Sequence, residues 1–120
     1  MNNRFKFRVY DPTLKKLILF SLDNIIVSDN LLCQDKYPVQ QFTGLEDSNE
    51  KEIYEGDILK ISYGAMGDVI GQVLYEADHG GYIFQWERKG PNQNYINLNC
   101  DVAFESVIIG NIIDNKELLN

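Results

Sequence analysis

Residues Gln41 to Leu59 run QFTGLEDSNEKEIYEGDIL, and the spacing of glycines and apolar residues in this stretch decides the fold class. Just before it and into it, Val39 to Phe42 has the character of a strand that stops at Thr43-Gly44. Glu46-Asp47-Ser48-Asn49-Glu50 is polar throughout, which predicts a solvated loop and a boundary between two β subregions, residues 1–45 and 53–113. Gly56-Asp57 then leads into an apolar strand, Ile58 to Tyr63. Gly44 and Gly56 are explained by backbone geometry, and Asp57 by hydrogen bonds to backbone N–H groups where the chain enters that strand.

Working outward, Phe5, Phe7 and Val9 alternate with Arg4, Lys6, Arg8 and Tyr10, the period of a strand with an apolar inner face and a basic outer one. Asp11-Pro12-Thr13 is turn chemistry, so Leu17 to Phe20 returns as a hairpin partner. Ile25 to Val27 has the composition of a further strand, while Leu31 to Lys36 fits either a loop or a helical turn. On the other side, a loop at Gly64 to Gly67 precedes a strand at Val69 to Tyr75. Asp78-His79-Gly80-Gly81 turns it back into Tyr82 to Trp86. The composition of Lys89 to Asn94 is that of a loop, and Ile96, Leu98, Cys100 and Val102 alternate as in another strand. Val107 to Ile113 is the last strand, with Asp114 or Asn115 placed to cap a closing helical turn.

Short strands joined by glycine-rich turns predict a mainly β protein with little helix, a small curved barrel or sandwich whose C-terminal half is SH3-like. The central stretch, together with Phe5-Lys6-Phe7-Arg8-Val9-Tyr10-Asp11 and Val107-Ile108-Ile109-Gly110-Asn111-Ile112, resembles the YopX family, small proteins encoded mostly by temperate phages and prophages. Members of that family typically carry tryptophan in place of Tyr10, an Asn-Gly pair in place of Asn49-Glu50, and proline in place of Lys116. The Asn49-Glu50 departure implies that the turn here need not be of the tight glycine type. The resemblance implies one domain over residues 1–120, a β-rich fold and self-association, and it carries no catalytic or ligand-binding residue across.

At 120 residues and 44% hydrophobic side chains, the chain suits one core. No run reaches the ~18 apolar residues that a membrane-spanning helix needs, and the expected location is the cytoplasm of the host cell. The formal net charge of −7 is unevenly spread. Residues 1–16 hold five basic groups against Asp11, a net of +4, while residues 17–120 hold six basic groups against seventeen acidic ones, a net of −11. A body that acidic repels phosphate backbones, so nucleic acid is a disfavoured partner. The same split lets the basic strand of one copy meet the acidic body of another, which predicts a homo-oligomer.

Motifs for chemistry are sparse. His79, the sole histidine, has Asp78 beside it, but adjacent turn residues rarely orient one another, and a solvated hairpin tip is the expectation. Cys33 and Cys100 lack CxxC spacing and are expected as reduced, buried thiols. No metal site, cofactor or catalytic residue is predicted. Glu46, Asp47, Glu50, Glu52, Glu55 and Asp57 form the densest acidic cluster, read as a solvated loop apart from Asp57. Tyr82, Phe84 and Trp86 share a face and are assigned to the core rather than to an exposed stacking row. Arg4, Lys6 and Arg8 are the contact residues to test, by pairing with carboxylates within the chain or on a partner. The function expected is a non-enzymatic phage or prophage accessory role through protein contacts, with a host or phage protein as partner. An SH3-like nucleic-acid module is the alternative.

Overall fold

The computed structural model describes residues 5–21, 39–62, 67–86 and 94–119. The predicted strand at Ile25 to Val27, the segment Leu31 to Lys36, Arg4, Cys33 and most of the Lys89 to Asn94 loop lie outside the described residues. The remainder is mainly β. In one sheet, β1 (Lys6–Asp11) pairs with β2 (Lys16–Ser21) and with β3 (Gln40–Glu46), and β3 pairs with β4 (Glu52–Tyr54), in the order β2-β1-β3-β4. The other sheet contains β5 (Asp57–Ser62), β6 (Asp68–Glu76), β7 (Gly81–Trp86), β8 (Tyr95–Asn97) and β9 (Ser106–Asn111), in the order β8-β7-β6-β5-β9. Every pairing is antiparallel. This second sheet curls as a half barrel with β8 and β9 at opposite ends of its strand order.

Turn chemistry accounts for the hairpins. The Asp11 carboxylate accepts from the N–H of Thr13 and of Leu14, closing β1 onto β2, where Phe7 lies opposite Phe20 with ring centroids 5.5 Å apart. Ala77–His79 forms a single 3-10 turn ended by Gly80 at φ 66, a left-handed conformation that costs a Cβ-bearing residue energy. The polar stretch Asp47 to Lys51 is the tip of the β3–β4 hairpin, inside the first sheet. The chain changes sheets later, at Glu55-Gly56, and three backbone bonds secure that corner: Glu55 N–H to Gln41 C=O, Gly56 N–H to Val73 C=O, and Ile112 N–H to Gly56 C=O.

One expected strand is different. The alternation from Ile96 to Val102 is strand only as far as Asn97, after which Cys100–Phe104 forms a helical turn, α1. Asn99 caps it, its side-chain oxygen accepting from Val102 N–H, and that local bond outweighs the two-residue period. The turn swings Ala103 inward beneath the curled sheet and leaves Cys100 exposed, contrary to the expectation of a buried thiol. The core gathers Leu59 and Ile61 of β5, Val73 of β6, Phe84 of β7, Ile53 of β4, Leu98 and Ala103. Each large apolar side chain fully buried here contributes roughly 1.5–3 kcal/mol. Because Ile53 belongs to the first sheet, this core also binds the two sheets together.

Candidate functional site

Arg8, 8% exposed, points inward and not to an outer face as the alternation of β1 suggested. Its Nη2 donates to Asp57 Oδ1 at 2.6 Å and to the Glu55 carbonyl at 3.2 Å, and its Nε donates to Gln40 Oε1 at 2.7 Å. The guanidinium lies 4.8 Å from the centroid of the Tyr54 ring. Asp57 Oδ2 accepts from Tyr54 N–H at 2.8 Å, so the aspartate bonds backbone at the entry to β5 as its position implied. Burial pushes the Asp57 carboxyl above its ordinary range, and the pull of Arg8 and of the Tyr54 N–H only partly offsets it. The Tyr54 phenol is also raised, by burial first and then by Glu52, against a lowering contribution from Arg8. Lys6 is ion-paired with Glu52 and its ammonium lies 5.3 Å from the Phe42 ring centroid. Within the basic row, then, Lys6 and Arg8 both hold carboxylates of the same chain, and Arg8 is a fixture of the sheet corner.

The acidic cluster is likewise organised by bonds that a local reading of the sequence misses. Asp47 is buried, not solvated. Its Oδ1 accepts from Asn49 N–H at 2.8 Å and Lys51 N–H at 2.9 Å, and its Oδ2 accepts from Ile108 N–H at 3.0 Å. One carboxylate therefore closes the β3–β4 tip and ties it to β9 of the other sheet. Glu50, exposed at the same tip, sits at φ 63, so the turn does use the left-handed geometry that glycine serves best. Glu55 accepts from Gln41 N–H. Among the described residues, no group of three or more His, Cys, Asp or Glu side chains is arranged to hold a metal ion.

Fixing this tip creates a surface. A groove of about 370 Å³ opens between the end of β3 with its turn and α1, lined by Leu45, Glu46, Asp47, Ser48, Glu50, Cys100, Ala103 and Phe104 among others. Leu45 and Ala103 supply an apolar floor, and Phe104 stands on α1 with 75% of its surface exposed. Leaving so much aromatic surface in water is unfavourable by roughly 25 cal/mol per Å² relative to covering it. Of the carboxylates lining the groove, Glu46 and Glu50 are exposed; Asp101 of α1 and Glu105 at its C-cap are exposed as well, and Lys51 is the exposed basic residue of the adjoining turn. The groove thus combines an apolar centre with an acidic rim.

The remaining candidates are placed elsewhere. His79 is exposed at its hairpin tip, edge-on to Tyr95 with centroids 4.9 Å apart. Phe84 is fully buried, while Tyr82 and Trp86 pack against the core from half-buried positions. The groove is not legible in the sequence because the alternation through Val102 predicts strand where α1 forms, and only the helical turn brings Phe104 to the Asp47 turn. The Asn99 cap was the available signal.

A family model described as YopX protein matches residues 6–120. The chain belongs to the YopX family. Among solved structures, the crystal structure of protein EF1440 from Enterococcus faecalis is similar to this YopX protein with a TM-score of 0.59 at 24% sequence identity, over 96% of this chain and 97% of that one. At that identity the likeness concerns the fold. No curated protein matches this YopX chain. Among the described residues, no helix is long and apolar enough to cross a membrane.

Proposed function

We propose that this YopX protein is a non-enzymatic phage or prophage accessory protein of the host cytoplasm that acts through protein contacts, and that the acidic-rimmed groove beside Phe104 is its contact surface. The observation that carries the reading is the exposure of Phe104 over an apolar floor in a setting of carboxylates. Buried aromatic anchors surrounded by complementary charge supply most of the binding energy in protein interfaces. Support also comes from how the ionisable groups are used: Asp47 and Asp57 are committed to backbone N–H groups and to Arg8, and His79 stands at a hairpin tip. The preferred partner is a protein segment that offers an apolar side chain flanked by lysine or arginine.

The test is capture from host cells of the wild-type protein and of a Phe104→Glu variant, followed by reconstitution with the purified captured protein. An identified partner that binds wild type and binds the variant at least about tenfold more weakly supports the reading, since loss of a central aromatic anchor costs ~2 kcal/mol or more. A partner that binds both equally removes the groove from the mechanism. Tight binding to DNA that falls steeply as salt rises would replace the proposal with the nucleic-acid reading.

A further inference from the structure

The same molecule carries a surface that matches this groove. At the tip of the β1–β2 hairpin, Leu14 is 58% exposed and is followed by the exposed pair Lys15 and Lys16. Lys15 sits at φ 55 in the turn, between Leu14 and Lys16, the first residue of β2. Asp11 Oδ1 accepts from the N–H groups of Thr13 and Leu14, and the residue lies opposite Lys16 across the hairpin, so the two lysines outnumber the one carboxylate of the tip. What the tip presents is an apolar side chain beside two lysines, the complement of an apolar groove with an acidic rim.

Tip and groove cannot meet within one copy. Arg8 lies opposite Gln40 in the antiparallel β1–β3 pair; Asp11 is three residues beyond that pair in one direction and Glu46 six residues beyond it in the other. Nine residues of strand separate them by about 30 Å, along a molecule whose longest dimension is 48 Å. Basic tip and acidic groove therefore sit toward opposite ends of the first sheet.

Resting on the contact-surface reading above, we infer that the groove's occupant is the Leu14-Lys15-Lys16 tip of a second copy, in a head-to-tail contact. Leu14 covers Phe104 over the floor of Leu45 and Ala103, while Lys15 and Lys16 meet Glu46 and Glu50. The two surfaces differ, so the contact is heterologous: each copy retains one unused tip or groove, and the assembly closes into a ring or extends as a chain. The exposed charges make it salt-sensitive, because pairs of this kind are screened within about 10 Å at 0.1 M salt.

Sedimentation velocity and light scattering on the full chain test this with complementing variants. The wild type is expected to show at least about a twofold rise in weight-average mass at low salt, reversed by high salt. Lys15→Glu/Lys16→Glu, which leaves the groove intact, and Phe104→Glu, which leaves the tip intact, are each expected as monomers. Mixed in equal amounts they supply one sound tip and one sound groove, and a dimer that does not extend is expected. Recovery on mixing also establishes that both variants are folded. A monomeric wild type at ~200 μM and low salt, a single variant of wild-type size, or a mixture that stays monomeric overturns the inference. If Phe104→Glu still abolishes capture of a host protein in that event, the contact-surface reading survives and the second copy as occupant does not.

Discussion

Replacing Asp47 by asparagine changes one oxygen to an amide and should be among the costlier polar substitutions in this chain. The carboxylate serves three backbone donors at 2.8, 2.9 and 3.0 Å, two in its own turn and one, Ile108 N–H, across in the second sheet. Asparagine retains one carbonyl oxygen, so either the turn or the β9 amide must face an NH2 group. The loss is one or two bonds to a charged acceptor, each worth about 1.5–3 kcal/mol, with a partly buried N–H left unpaired. The expected destabilisation is about 2–4 kcal/mol, out of the 5–15 kcal/mol typical of a whole domain. In urea, with a slope of roughly 2 kcal/mol per molar, the midpoint should fall by about 1–2 M at unchanged slope. Ser48→Ala is the control, at an exposed neighbour in the same turn, expected within about 0.5 kcal/mol of wild type. Hydrogen exchange adds a local readout, since the Ile108 amide should lose protection in Asp47→Asn more than the β5–β6 amides do. A midpoint that moves no further than that of Ser48→Ala, or an Ile108 amide that keeps its protection, would refute the claim that this carboxylate joins the sheets.

Three further substitutions probe the same frame. Glu50→Gly should stabilise the protein by about 0.5–1 kcal/mol, because φ 63 costs an L-residue roughly 1–2 kcal/mol and the flexibility of glycine in the unfolded chain returns part of that; a lowered melting temperature would refute it. Gly56→Ala should cost 3 kcal/mol or more, about the upper range for point substitutions, since φ is 83 and a Cβ would stand 2.2 Å from Gln40 Nε2 in the ring of bonds around Arg8; near-wild-type stability would show that the corner can relax. Asp57 binds its proton more readily in the folded protein than in the unfolded chain, so its contribution favours the fold at low pH and is lost as pH rises through the raised folded value. Arg8→Met removes a lowering influence on Asp57, so its stability should fall more steeply than that of wild type as pH is raised from about 4 to 8, and parallel profiles in denaturant titrations would count against that coupling.

The parts legible in the sequence are those whose causes are local. Alternation marked β1, apolar runs between glycine-bearing loops and turns marked β5, β6 and β7, and the Gly-Asp-Ile entry marked the start of β5, because each requires only a few neighbouring residues to agree. What escaped depends on distant partners. Arg8 alternates as an outward residue, and only the arrival of Asp57, 49 positions later, makes its inward placement tolerable. Asp47 has the local character of a solvated loop residue, and its acceptance from Ile108 spans 61 positions. The error at α1 was of a different kind: two local signals conflicted, the apolar alternation through Val102 and the Asn99 cap, and the cap prevailed because it satisfies a backbone N–H that water would otherwise have to reach.

The helical turn α1 is also what brings Phe104 to the groove. With Cys100–Phe104 as a strand, successive side chains would alternate between faces, and Phe104 would share a face with Val102. As a helical turn the same residues place Ala103 in the core and leave Phe104 in water beside Glu46 and Glu50. The ion pairs at Lys6 and Arg8 have a complementary effect on charge: by neutralising Glu52 and Asp57 inside the molecule, they leave Lys15 and Lys16 as the exposed basic pair at one end of the first sheet and the Phe104 rim acidic at the other. Under the head-to-tail contact inferred above, an arrangement of that kind would orient an approaching copy before contact, so salt should slow association more than it speeds dissociation. Equal effects of salt on the two rates would place the charges inside the formed interface instead of at its edge, and would shift the energetic centre of the contact from Phe104 to the lysines.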